Sequence, residues 1–256
     1  MPILSARDSK SGMTPSTDRP LRVAAIGDLH VQENRKGSYR GLFEDISEIA
    51  DVLVLCGDLT NYGKTHEAEM LADDIRGARI PVVAVLGNHD HECGQPESVK
   101  EFLTQAGARV LDNGESFEIH GVGFAGCMGA MGGFGRYMLS SFGEKAVKDF
   151  VHASMEEIMK LETSLRMLRT ERAVAVLHYA PVADTLEGEP LEIMPFLGNG
   201  RLAETIDRFD NVRAVVHGHA HRGVHRGKTP KGVPVYNCAH MVTMAATGRP
   251  FALFEV

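Results

Sequence analysis

Five short runs along the chain are apolar at almost every position and rich in β-branched residues. They are LRVAAIG (21–27), DVLVLCG (51–57), IPVVAVLG (80–87), RAVAVLH (172–178) and VRAVVHG (212–218), each bounded by Gly, Asn or Asp. Runs apolar on both faces are the mark of buried strands in a mainly parallel sheet. Between them the period lengthens. Residues 39–50 place Leu42, Phe43, Ile46 and Ile49 on one helical face, and 65–77, 96–106, 144–169 and 200–209 also read as helices. The chain therefore opens as β-α-β-α-β-α. Residues 108–126 predict two or three short strands with turns at Asn113-Gly114 and Gly121, and GVPVYNCAH (232–240) and PFALFEV (250–256) predict more. The expectation is an α/β layered sandwich with more than one sheet, forming a single domain over 21–256. The stretch 180–199 carries few helix or strand signals, and a loop of that length in a compact domain is often functional.

Composition narrows the function classes. The chain has 256 residues, 43% of them apolar, enough for a substantial core. Its formal net charge of −7 weighs against a general affinity for nucleic acid. No run of 18 apolar residues offers a membrane span. Residues 1–20 are polar, rich in Ser, Pro and charge, and read as a disordered tail with no signal-peptide core. Cys56, Cys93, Cys127 and Cys238 form no CxxC pair, and three of them sit in or beside apolar runs, as buried thiols of a cytoplasmic protein would.

Of the twelve histidines, six (His30, His89, His178, His217, His219 and His221) fall at the ends of the strand runs, while His66, His120 and His152 read as surface or packing residues. Each strand run ends in a group able to bind a metal or act as an acid. Asp28 and His30 follow the first, Asp58 the second, and Asn88, His89 and Asp90 the third. His178 closes the fourth, and His217, His219 and His221 follow the fifth. Singly, each has a bland reading: an Asp after a strand is usually a turn or helix cap, and alternating His fits a strand edge. Together they fall where open α/β sheets bind ligands, beyond the carboxyl ends of the strands. Mixed carboxylate, imidazole and amide groups suit Mn, Fe, Zn, Ni or Co and fit calcium poorly. Seven candidate ligands (Asp28, His30, Asp58, Asn88, His178, His219 and His221) are about the number two ions need. Two decoys fail. GDLTNYGKT (57–65) has one residue too many for a P-loop, and the GxGxxG at 121–126 runs into CMGAMGGFG, which cannot start a good helix.

Five blocks in this order, Asp28-x-His30, Gly57-Asp58, Gly87-Asn88-His89-Asp90, His178 and Gly218-His219-x-His221, resemble the calcineurin-like metallophosphoesterases. The resemblance implies a four-layer α-β-β-α sandwich of two mixed β-sheets flanked by helices. It implies two transition-metal ions, one held by Asp28, His30, Asp58 and His221, the other by Asp58, Asn88, His178 and His219. Asp58 would bridge them, a metal-bridging hydroxide would attack in line, and His89 would protonate the leaving oxygen. Departures narrow the branch. Asn61 and Tyr62 stand where protein phosphatases carry an Asp-Arg pair, and His89 stands where lipid A precursor hydrolases carry Arg. What remains resembles compact bacterial phosphodiesterases acting on a small, nucleotide-like phosphoester. A phosphomonoesterase, a DNA nuclease and a non-catalytic scaffold on the same fold are the alternatives. His217 is expected to be buried, structural or supporting the ligands from behind; His91 is a candidate to reach the pocket, His240 is a candidate to support the ligands from behind, and His225 has no assigned role.

Overall fold

The computed structural model describes residues 19–33 and 36–256. All but Arg19 and Pro20 of the tail reading lie outside the described residues. The five runs become β1 (Arg22–Ile26), β2 (Val52–Cys56), β3 (Val82–Val85), β7 (Arg172–Val176) and β8 (Val212–His217). Residues 108–126 supply β4 (Ala108–Val110), β5 (Ser116–Ile119) and β6 (Val122–Gly126). Later come β9 (Arg226–Lys228), β10 (Pro234–Asn237) and β11 (Ala252–Glu255). They form two sheets, in the orders β11-β1-β2-β3-β4 and β5-β6-β7-β8-β10-β9. The interior pairs are parallel; β11, β5 and β9 join antiparallel at edges, so both sheets are mixed.

The period-two alternation of each strand sorts its side chains into two layers. On β2, Leu53 and Leu55 pack with Phe43, Ile46, Leu71 and Leu103 of the helices α1 (Arg40–Ile49), α2 (Thr65–Ile75) and α3 (Pro96–Gln105). Val52, Val54 and Cys56 face inward instead, against Val174 and Val176 of the second sheet. Ala173 and Ala175 point to the far side, where Ile158, Leu161 and Leu165 of α4 (Lys145–Met167) and Leu202 and Ile206 of α6 (Gly200–Ile206) cover them. The result is helix, sheet, sheet, helix. Fully burying one such leucine or valine contributes roughly 1.5–3 kcal/mol, so the alternation fixes register as well as stability.

Two segments depart from the sequence expectation. His240–Thr247 forms a helix, α7, where the strand run GVPVYNCAH was expected to end. The stretch 180–199 contains two short 3₁₀ turns and the one-turn helix α5 (Met194–Leu197); the bridge Ala180↔Gly198 closes it on itself, and Gly133↔Asn199 ties it to the segment before α4. The Gly-rich segment 129–135 is thus its partner.

A clamp joins the starts of β1 and β2. Asp51 accepts from the Arg22 guanidinium at 2.9 and 3.1 Å and from the Arg22 backbone at 2.9 Å. The guanidinium bond holds the Asp51 carboxyl down at about 2, against 3.8 for a free one. The unfolded chain thus takes up this proton at higher pH than the folded chain. The stabilisation is complete above the free value and is lost as pH falls from there toward 2. Solvent screening of this partly exposed pair keeps the contribution small. In urea titrations Asp51→Asn should be less stable than wild type at pH 7, with the gap narrowing by pH 3. A gap that stays constant would contradict the assignment.

Candidate metal centre

After β1, β2 and β8 the chain turns through strained backbone to present its polar groups. Asp28, His30, Asp58 and His219 all hold left-handed backbone, with φ of 60°, 44°, 49° and 68°. Such a conformation costs a non-glycine residue roughly 1–2 kcal/mol, and it clusters at functional sites. Two glycines let the loops close. Gly57 has φ 81°, and a Cβ there would sit 2.5 Å from the His178 ring. A Cβ on Gly87 would lie 2.2 Å from the Asp58 backbone nitrogen and carboxylate.

The seven candidate ligands and His89 converge. Asp28, His30 and His221 each offer an atom within 4.8 Å of the others; so do Asp58, His178 and His219, and so do His30, Asp58 and His89. Asn88 joins through its Oδ1, 3.0 Å from His178 Nε2. Asp28, Asp58 and His178 are buried, and the rest are half-buried at the mouth.

Hydrogen bonds on the outer ring nitrogens fix which nitrogen faces inward. His178 Nδ1 donates to the Cys56 carbonyl at 2.9 Å, which leaves a lone pair on Nε2. That lone pair faces Asn88 Oδ1 at 3.0 Å and Asp58 Oδ1 at 3.3 Å, so three acceptors meet with no hydrogen between them. His219 Nε2 donates to the Phe196 carbonyl at 3.2 Å, leaving Nδ1 for the inner side, and His30 Nε2 is buried with no hydrogen-bond partner among the described residues. Converging acceptors and an orphaned buried imidazole nitrogen are what a cation site presents. The electrostatics agree. Burial, then the charge of Asp28, pushes Asp58 up to about 6. Burial drives His30 and His219 down to about 4, which keeps them in the neutral form that binds metals. Burial also raises Asp28, but the His221 hydrogen bond and nearby imidazoles outweigh it and hold that carboxyl below its ordinary value. The donor set therefore fits transition-metal ions.

His89 stands at the edge of this cluster, its ring edge-on to His30 with centroids 4.7 Å apart. Its Nδ1 donates to the Asn61 backbone carbonyl at 2.8 Å, with the Glu92 carboxylate at 3.4 Å. A main-chain oxygen, that of Asn61, therefore sets the orientation of this ring.

Sequence reasoning missed most of the side chains that hold the loops, His240 and His217 being the ones it singled out. Asp90, quoted within the third block but given no role, is fully buried and accepts from Leu59 N, Thr60 N, Thr60 Oγ1 and Gly87 N at 2.6–3.2 Å. His240 Nδ1 donates to the Asp28 carbonyl at 2.8 Å. His217 is buried as expected, with Nδ1 on the Gly218 carbonyl and Nε2 on Thr185 Oγ1, at 2.8 and 2.9 Å. His225 is buried with Nδ1 on the Asn237 carbonyl, and His91 Nε2 is buried away from the three clusters.

Comparison with known proteins identifies the family and the fold. The Calcineurin-like phosphoesterase family matches residues 21–223. A probable glycerophosphodiester phosphodiesterase GpdQ of Arcobacter nitrofigilis is 21% identical over 213 residues, 78% of this chain and 71% of that protein. A probable cyclic nucleotide phosphodiesterase of Synechococcus is 32% identical over 91 residues, covering 32% of this chain and 34% of that protein. The fold of phosphopantetheinyl hydrolase from Mycobacterium tuberculosis superposes with a TM-score of 0.64 at 15% identity, over 91% of this chain and 95% of that one. The molecule is a phosphoric ester hydrolase of the metal-dependent class. The chain belongs to the calcineurin-like phosphoesterase family.

Proposed function

We propose that this chain is a two-ion phosphodiesterase acting on a small, nucleotide-like phosphoester. The observation that carries the reading is that Asp58 belongs to two of the three ligand clusters, with His30 and His89 in one and His178 and His219 in the other; His30 links the first to Asp28 and His221, and Asn88 meets His178 in the second. Asp28, His30, Asp58 and His221 would hold one ion, and Asp58, Asn88, His178 and His219 the second. Ions there would supply Lewis-acid polarisation of a phosphoryl oxygen and an acidified water as nucleophile. The chain's own groups do the rest. His89, anchored through Nδ1, turns Nε2 toward the leaving oxygen and delivers its proton. Beside it a cavity of about 360 Å³, lined by Gln32, Glu33, Asn61, Tyr62, Lys64 and Glu67, gives room for an alcohol substituent. Segments 129–135 and 180–199, paired through Gly133 and Asn199, border the site where Phe196 meets His219. The free thiols Cys56, Cys93, Cys127 and Cys238 fit a cytoplasmic location.

The preference for diesters rests on charge. A monoester dianion gains most from a guanidinium that grips two oxygens, and position 62 offers Tyr. Arg136 stacks over the Tyr137 ring at 4.6 Å. The names of the two relatives, both phosphodiesterases, lend support. The test compares kcat/KM for bis(p-nitrophenyl) phosphate and p-nitrophenyl phosphate, with 2′,3′- and 3′,5′-cyclic nucleotides alongside. The diester is expected to be the better substrate. A monoester advantage of about tenfold, roughly 1.4 kcal/mol in the barrier, would contradict the reading.

A further inference from the structure

The left-handed backbone at Asp28, His30, Asp58 and His219 raises a physical question. A residue in that region relaxes unless its flanking peptide planes are held. Around each of the four, a side chain outside the ligand set grips a main-chain group. The Asp28 carbonyl accepts from His240 Nδ1 at 2.8 Å. The next carbonyl, on Leu29, accepts from the Tyr39 hydroxyl at 2.6 Å. After Asp58, the Leu59 and Thr60 amides donate to Asp90 at 3.2 and 2.8 Å. On either side of His219, the Gly218 carbonyl accepts from His217 and the Ala220 carbonyl from Asn237 Nδ2, at 2.8 and 2.7 Å. Asp90, His217 and Asn237 are fully buried. Hydrogen bonds to water would be lost and regained as a loop moved; bonds from packed side chains fix each carbonyl in place.

We propose that Tyr39 and His240 are positioning residues for one ion only. They hold consecutive carbonyls between Asp28 and His30, so that these two ligands are aimed before an ion arrives. The inference rests on the two-ion reading above. Neither side chain belongs to the three ligand clusters. Each reaches the loop from a different direction: Tyr39 from the start of α1, ten residues along the chain from Leu29, and His240 from the start of α7, 212 residues from Asp28. In the opposite half, Asn88, His178 and His219, the two imidazole rings are aimed by other contacts, Cys56 O for His178 and Phe196 O for His219; His219 meets the Asp28 turn only through its main-chain amide, which donates to the Asp28 carboxylate at 3.0 Å and not to the carbonyls that Tyr39 and His240 hold. Loosening the Asp28–His30 turn should therefore weaken one ion and spare the other. A general loss of stability would weaken both.

Tyr39→Phe isolates the effect. The ring stays stacked on Phe43, with centroids 6.1 Å apart, and the Tyr39 amide keeps its bond to Asp74 at 3.0 Å. Only the hydroxyl is lost. Ser47→Ala is the control. It lies on the same helix and removes bonds to Phe43 O and Arg79 N, remote from the site. Chelator-treated protein is titrated with Mn²⁺ in a calorimeter, and the metal-free melting temperature is recorded for each variant. Wild type and Ser47→Ala should show two binding events of equal affinity between the two proteins. Tyr39→Phe should weaken one event by about tenfold, the lower end of what losing an outer-shell partner costs, and leave the other unchanged. His240→Ala should weaken the same event. Two unchanged affinities in Tyr39→Phe would overturn the proposal. So would equal weakening of both events with a melting temperature well below the Ser47→Ala control. A wild type that takes up no Mn²⁺ would instead defeat the two-ion reading, and this proposal with it.

Discussion

Asp90→Asn is expected to destabilise the metal-free fold by about 3 kcal/mol, the cost of orphaning two buried donors at roughly 1–3 kcal/mol each. The substitution looks conservative and is not. Asp90 is fully buried, and its Oδ2 accepts from Gly87 N at 2.8 Å and Leu59 N at 3.2 Å. Its Oδ1 accepts from Thr60 N at 2.8 Å and from the Thr60 hydroxyl at 2.6 Å. An amide has one oxygen. Whichever way it turns, an NH₂ group confronts two N–H or O–H donors. Burial raises the Asp90 carboxyl above its ordinary value, although the Thr60 and Gly87 donors pull part of the way back. Two oxygens facing four donors match this pocket, and a single-oxygen amide does not. The same contacts join the loop after β2 to the loop after β3, which carry Asp58 and Asn88. Urea unfolding without metal is the proper measurement, because bound ions would add stability by mass action. The midpoint should fall with little change in slope. A loss under about 1 kcal/mol, the net worth of one ordinary hydrogen bond, would show that the clamp carries no such weight.

The parts of this molecule legible in the sequence are those written in local periodicity. VLVLC on β2 and RAVAV on β7 are apolar on both faces because each strand is covered by helices on one side and by the other sheet on the other. Their polar termini marked the site for the same reason, since a buried strand can offer an open group only at its end. The helix α7 was hidden because HMVTMAAT follows a strand run without a side-chain cap and is rich in β-branched and apolar residues. The edge strand β9, Arg-Gly-Lys, has no apolar pattern at all. The loop clamps were hidden for a different reason. His240, Tyr39 and Asn237 bond to main-chain carbonyls, which every residue possesses, so no pairing of residue types announces them. His217 was readable as buried because it continues the β8 alternation, but its Thr185 partner lies in a stretch without pattern.

Asp58→Asn should have the largest effect on activity. The amide matches the carboxylate in shape and keeps an oxygen for the His89 backbone amide, now 2.9 Å from Asp58 Oδ1. What it removes is the charge shared by the two sides of the site, at a group that burial and Asp28 already push up to about 6. Without that carboxylate the cluster with His178 and His219 has imidazole and amide groups alone, and the cluster with His30 and His89 has only imidazoles. Turnover of a diester should fall by roughly 10³-fold or more, at or beyond the 10²–10³ lost with a single preorganised electrostatic group. Melting temperature of the metal-free protein should change little, because relief of a buried charge offsets the lost contact. The central measurement is the number of metal ions per chain, by elemental analysis after loading and desalting, with diester turnover read on the same samples. The account predicts two ions and turnover in the wild type, and at most one ion with turnover near background in Asp58→Asn. Two ions and wild-type turnover in the variant would contradict it.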